Sequence, residues 1–177
     1  MSKYPSTSLP QTMTPEQVQK AVLDLLAKIN ETAAATQTAS DSMVPWTNEV
    51  LYTPTFTGFG TVTVHNFSWL RMGNRIKVMG RFQSGTPTGV EARISLPNNL
   101  VSDSSLLSAI AVCGVQIADR VGAVSNYCLI EPGVGYITDG SQQAGTAALT
   151  KRLGNAVALV GDIISVQFEL PVSGWNG

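Results

Sequence analysis

The sequence of 177 residues has few charged side chains. Asp, Glu, Lys and Arg make up 13% of it, whereas globular chains usually carry about 25%. Hydrophobic residues make up 44%, so the composition is not that of a disordered chain. A single domain of this composition has little charged surface to present to water. We therefore expect part of its surface to be buried between subunits.

Other features that would indicate particular functions are missing. The net charge is −1 and no run of Lys and Arg occurs, so binding of nucleic acid through its phosphates is not expected. The N-terminus lacks the apolar segment of a signal peptide, and no run approaches the roughly 18 apolar residues of a membrane-spanning helix. We expect a chain that assembles in a cytoplasm and does not insert into membranes.

Residues for catalysis or metal binding are also scarce. His65 is the only histidine and lies in a strand-like segment. No G-x-S-x-G motif and no metal-ligand spacing occurs, so we predict no enzyme, metal or cofactor. The carboxylates are scattered rather than paired for glycoside hydrolysis, and Asp139 and Asp162, each beside a glycine, are interpreted as turn residues. Cys113 and Cys128 lie in apolar runs and are interpreted as buried free thiols, with a disulfide as the alternative.

Glycine is absent from the first 57 residues, and all 16 glycines lie at Gly58 or later. This distribution divides the chain into three parts. Residues 1–13 are a polar tail with two prolines, which is either a floppy end or a peptide that docks on a larger partner. Residues 14–45 contain a predicted helix over 14–43, and residues 46–177 are a β domain.

The predicted helix begins with a strong capping pattern. Thr14 suits the N-cap, Pro15 the first helical position and Gln17 the reciprocal position of a capping box. A stripe then follows in steps of four and three residues, which is the spacing of a coiled-coil seam. Its members are Val18, Val22, Leu25, Ile29, Thr32, Thr36, Ala39 and Met43.

This stripe predicts a self-associating stalk about 45 Å long. The alternative is one amphipathic helix that lies on the β domain. The seam does not fix the number of chains, and we expect three.

The β domain shows short alternating segments between turn residues. In "TVTVHNFSWLRM", Val62 and Val64 are expected on one face, with His65, Phe67 and Trp69 on the other. Gly73-Asn74 suits a hairpin turn. Further inward-facing sets are predicted as Ile76, Val78 and Phe82; Val90, Ala92, Ile94 and Leu96; and Ile164, Val166, Phe168 and Leu170. Eight or nine strands over about 130 residues predict a β-sandwich of jelly-roll type.

One region resembles a known family. The pieces "YTPT-TGFGTV", "V-GRF-SGT" and "EARISLP", followed by "GYIT" and "LVGDIISVQFELPVSGW", occur in order between Tyr52 and Trp175. They resemble the C-terminal β domain of tail-fibre and head-fibre proteins of tailed bacteriophages. The resemblance identifies no catalytic residue, and the family includes proteins at different places on the virion.

The resemblance implies a homotrimer with an N-terminal anchor, a stalk and a β knob. The short chain favours a head fibre on the capsid exterior, which binds the major capsid protein and adheres weakly to a host cell-surface glycan. A tail-fibre or baseplate adhesin that binds a tail protein is the alternative. A small polysaccharide depolymerase and a capsid-stabilising cement protein are further alternatives. The expected anchoring residues are Ser2, Lys3, Tyr4, Pro5, Leu9 and Pro10.

Overall fold

The computed structural model describes residues 14–41, 47–120, 125–142 and 148–174, with side chains in the first range described up to residue 33. The chain divides into two compact units, Met1–Met43 and Val44–Gly177. The helices are α1 (Pro15–Asp41), α2 (Gly154–Val157) and a 3-10 turn (Pro97–Asn99). The strands are β1 (Val50–Leu51), β2 (Phe56–Thr57), β3 (Thr63–Met72), β4 (Arg75–Gln83), β5 (Arg93–Ser95), β6 (Ala111–Asp119), β7 (Ser125–Ile130), β8 (Tyr136–Gln142), β9 (Leu149–Lys151) and β10 (Ile163–Pro171).

The capping box at the start of α1 is confirmed. The Thr14 backbone N–H donates to Gln17 Oε1 at 2.9 Å, and the Gln17 backbone N–H donates to Thr14 Oγ1 at 3.3 Å. Each side chain therefore satisfies an N–H at a helix end that has no partner within the helix. Pro15 follows as the first helical residue, where its missing N–H costs nothing.

The ten described strands form one curled antiparallel sheet, so the prediction of a mainly β domain is confirmed. Its order is β1-β3-β4-β10-β6-β7-β8-β5-β2, and β9 pairs with β8 outside this path. The long strand β10 lies between β4 and β6, so its two neighbours come from distant parts of the chain. The two ends of the sheet are the two-residue strands β1 and β2.

The inner face of the curled sheet encloses the hydrophobic core. The four predicted inward-facing residues of β10 are all buried, as are those of β4, so these predictions are confirmed. They are Ile164, Val166, Phe168 and Leu170 in β10, and Ile76, Val78 and Phe82 in β4. The turn Gly73-Asn74 also forms as predicted, since Met72 pairs with Arg75 across it.

Aromatic rings fill one part of this core. Phe56 and Phe82 lie 4.6 Å apart between ring centroids, and Phe67 and Phe82 lie 6.2 Å apart. The Phe67 ring lies directly over Gly80 on the next strand. A Cβ at residue 80 would come within 2.3 Å of this ring, so the close approach requires glycine.

Three details of the predicted pattern are wrong. A β-bulge between Val64 and Asn66 breaks the alternation of β3. As a result, Val64 packs against the same core as Phe67, and His65 is exposed. Val90 is 52% exposed because the strand that follows it begins only at Arg93.

Asp139 is the third correction, because it is not a turn residue. It lies inside β8, pairs with Cys128 and is buried. Asp162, by contrast, does close a turn: its carboxylate accepts the Leu159 backbone N–H at 2.7 Å.

Candidate interaction surfaces

Helix α1 presents an apolar stripe to solvent. Val18, Val22, Leu25 and Ile29 are 47–59% exposed, and Leu26 beside them is 50% exposed. Thr32 continues the stripe, and its hydroxyl donates to the Lys28 carbonyl at 2.8 Å, which satisfies its polar group within the helix. The side chains of Thr36, Ala39 and Met43 lie outside the described residues. The six expected anchoring residues, Ser2, Lys3, Tyr4, Pro5, Leu9 and Pro10, lie outside them as well.

The outer face of the sheet carries a second set of exposed apolar side chains. The pairing of five adjacent strands places Ser68, Met79, Gln167, Val115 and Tyr127 in one row across β3, β4, β10, β6 and β7. A parallel row contains Asn66, Arg81, Ser165, Ile117 and Ser125. The first row alternates polar and apolar side chains up to Val115, and the second is polar except for Ile117 and includes the charged Arg81.

A groove of about 370 Å³ lies on this outer face. We call it the sheet-face groove, and its principal lining residues are Ser68, Met79, Arg81, Val115, Ile117 and Gln167. Met79, Val115 and Ile117 are 44–48% exposed. No sequence pattern predicts this groove, because its lining residues come from four strands and become neighbours only through the pairing of β10.

Charged groups lie at the edge of the groove. Arg81 pairs with Asp119 at 3.3 Å, and both side chains are about half exposed or more. Ser68 donates a hydrogen bond to the Glu49 carboxylate. An exposed ion pair of this kind contributes little to stability, so these groups mainly set the polarity of the rim.

A rigid turn presents two more apolar residues. We call Leu159–Asp162 the apolar turn; Leu159 is 58% exposed and Val160 is 69% exposed. The Asp162 carboxylate, which accepts the Leu159 N–H, also accepts a hydrogen bond from Arg120 at 2.6 Å. Ser84 Oγ donates to the Leu159 carbonyl at 2.6 Å. Gly161 adopts a positive φ of 79°, a conformation that glycine adopts without strain.

Inside the domain, a buried polar cluster surrounds Asp139. Burial raises the pKa of Asp139 to about 8, although the Gln116 amide and the Arg152 charge oppose the rise. No hydrogen bond of ordinary geometry reaches the Asp139 carboxylate or the Gln116 amide within the described residues. The carboxyl is therefore mostly protonated at neutral pH, because an unpaired buried charge is costly.

The two cysteines lie next to this carboxyl and are free. Cys128 is fully buried as predicted, whereas Cys113 is only partly buried and its thiol donates to the Cys128 carbonyl at 3.3 Å. Burial raises the pKa of Cys113 to about 12 and that of Cys128 well above its usual value. Both thiols are therefore poor nucleophiles at neutral pH.

Comparison with known proteins gave no match: no family model, no curated protein and no solved structure is significantly similar to this chain. Within the described ranges, no three His, Cys, Asp or Glu side chains are grouped as metal ligands. In the same part of the chain, no helix is long and apolar enough to cross a membrane.

Proposed function

We propose that this chain is a structural virion protein, the homotrimeric head fibre of a tailed bacteriophage. Three copies of the segment 14–45 form a coiled-coil stalk, and residues 46–177 form the knob. Residues 1–13 attach the fibre to the major capsid protein on the capsid exterior. The resemblance of the segment from Tyr52 to Trp175 to phage fibre domains supports this assignment.

The observation that carries the proposal is the stripe of α1. A helix of 27 residues with a formed capping box presents Val18, Val22, Leu25 and Ile29 about half exposed and at coiled-coil spacing. Completing the burial of such a side chain contributes about 1 kcal/mol. Burying these four side chains on each helix would therefore favour association by several kcal/mol. A parallel bundle of helices from several copies would bury them.

The fold of the β domain supports its proposed role as the knob of the fibre. We propose that the curled sheet folds over its core as a sandwich of jelly-roll type. Many knobs displayed on one particle would adhere to a host surface through multivalency, since linked weak contacts raise the effective affinity. A cell-surface glycan is the proposed target, on the resemblance alone.

The proposed stalk can be tested by introducing a charged side chain into the coiled-coil seam of α1. We expect Ile29→Asp to convert the trimeric full-length protein to monomers in mass measurements, because the substitution brings carboxylates together on the axis. Ala27→Asp is the matched control, since residue 27 lies on the opposite side of the helix. A wild-type protein that is monomeric, or an Ile29→Asp variant that stays trimeric, would contradict the stalk.

The proposed location on the capsid exterior can be tested with assembled virions. A reconstruction of the virion should show three-fold stalks that end in knobs on the capsid shell, and a Ser2–Met13 peptide should bind assembled shells. The same trimer at the tail would instead favour the adhesin. Shells that lack the protein and burst at lower temperature would favour the cement protein.

A further inference from the structure

An irregularity in the sheet brings the two cysteines together. Strands β6 and β7 pair at Val112 with Leu129 and next at Gly114 with Cys128. Cys113 falls between these two pairs and is therefore the extra residue of a β-bulge. A bulge sets two residues of one strand against a single residue of the facing strand. Cys113 and Gly114 consequently both lie opposite Cys128.

Both cysteine side chains face the core. Cys128 belongs to the buried core cluster, and Cys113 packs against that cluster. The Cys113 thiol donates to the Cys128 carbonyl at 3.3 Å, so its sulfur already touches the facing residue. A Cβ at residue 114 would lie 2.0 Å from the Gln167 carbonyl oxygen, which requires glycine there. Of the two bulge residues, only Cys113 therefore presents a side chain to Cys128.

This arrangement suits the geometry of a disulfide. Opposed residues of antiparallel strands have Cα atoms about 4.5–5.5 Å apart, and disulfides join residues whose Cα atoms are about 4.4–6.8 Å apart. The main movement that a bond requires is a rotation of the Cys113 side chain, which turns its sulfur from the Cys128 carbonyl to the Cys128 thiol. We propose that Cys113 and Cys128 are a redox pair that closes into an intrachain disulfide in an oxidising solution.

The oxidant is a low-molecular-weight disulfide, such as oxidised glutathione. The Cys113 sulfur, which is the more exposed of the two, attacks one sulfur of the oxidant, and the first small thiol leaves with the Cys113 proton. The Cys128 sulfur then attacks the Cys113 sulfur in this mixed disulfide. The second small thiol leaves with the Cys128 proton. The two cysteines lose two electrons in total, and the oxidant gains them as it becomes two thiols.

Burial sets the timing of this reaction. Only a thiolate attacks a disulfide, and both cysteines hold their protons at neutral pH, so closure is slow. Cytosolic thiols are kept reduced, whereas disulfides persist on the surface of virions. The pair therefore stays reduced during assembly and closes after release. This timing rests on the proposed virion location, but the pairing of the two cysteines does not.

The test uses the full-length protein purified with a reductant. One sample is held in oxidised glutathione at pH 8 until its mass stops changing, and both it and a reduced sample are then denatured, alkylated and analysed by mass spectrometry. We expect the oxidised chain to lose two hydrogens and to take up no alkylating reagent, whereas the reduced chain is alkylated at both cysteines. The oxidised protein should also melt roughly 5–10 °C higher, because the bond closes a loop of about 15 residues in the unfolded chain. Cys113→Ser is the matched control, and the oxidant should not raise its melting temperature.

A second oxidation removes slow access as an explanation of a negative result. The protein is unfolded in urea and refolded in a buffer of reduced and oxidised glutathione, so that both thiols are exposed before the fold forms. A refolded chain that is still alkylated at both cysteines, that carries glutathione, or that is joined to another chain would overturn the pair. A trimer without the intrachain bond would leave the fibre standing, and a monomer with it would overturn the stalk alone.

Discussion

The buried carboxyl of Asp139 should make the stability of the protein fall as pH rises. Its pKa is about 8 in the folded chain, against an ordinary value of 3.8. At pH values between 3.8 and about 8, the Asp139 carboxyl is protonated in the folded state and ionised in the unfolded state. Unfolding therefore releases a proton, and stability decreases with rising pH across this window.

The magnitude follows from the width of the window. Each pH unit within it lowers the free energy of unfolding by about 1.4 kcal/mol. Between pH 5 and pH 8, Asp139 should therefore contribute a loss on the order of 4 kcal/mol. Below about pH 4 the carboxyl is protonated in both states and the dependence ends.

The assay is urea unfolding of the wild type and of Asp139→Asn across this pH range. The amide has the shape of the carboxyl but cannot ionise, so the variant should match the wild type at low pH and exceed it at pH 8. Asp119→Asn serves as the control, because it makes the same change from carboxyl to amide at an exposed position. Parallel pH profiles for wild type and Asp139→Asn would refute the reasoning, because they would mean that Asp139 holds no extra proton in the folded state.

Two further predictions concern local structure. Gly80→Ala should lower the free energy of unfolding by roughly 1–3 kcal/mol, because its Cβ would displace the Phe67 ring. Thermal unfolding measures this loss. The control is Gly89→Ala, whose added Cβ would lie 3.9 Å from the Asn155 side chain and should leave the melting temperature nearly unchanged. Thr14→Ala should destabilise α1 by about 1 kcal/mol because the cap is lost; circular dichroism should then show less helix at a given temperature, and an unchanged melting curve would mean that the capping box contributes nothing.

Local patterns in the sequence were sufficient for several elements. The cap at Thr14 depends on residues three apart, and β10 alternates without interruption from Ile164 to Leu170. The turn at Gly73-Asn74 likewise lies between strands that are adjacent in sequence. In each case the interactions that decide the structure lie within a few residues of chain.

Features set by distant pairing could not be predicted in this way. The bulge beside His65 arises from the register of β3 against β4, and it reverses which side chains face the core. Asp139 precedes a glycine and so fits a turn pattern, but its position between neighbouring strands buries it. The sheet-face groove depends on β10, which pairs with both β4 and β6 and joins them in one sheet although more than 25 residues separate them in the chain.

The ends of the sheet have a consequence for a protein with so few charges. The strands β1 and β2 span two residues each, and Pro54 lies in the short segment between them. A long open strand would offer unpaired backbone groups to other chains, which is a common route to aggregation. Terminal strands of two residues themselves offer few unpaired backbone groups for an added strand. Short terminal strands therefore limit edge-to-edge pairing between copies of the domain, which matters most in a protein whose surface has few charges to keep copies apart.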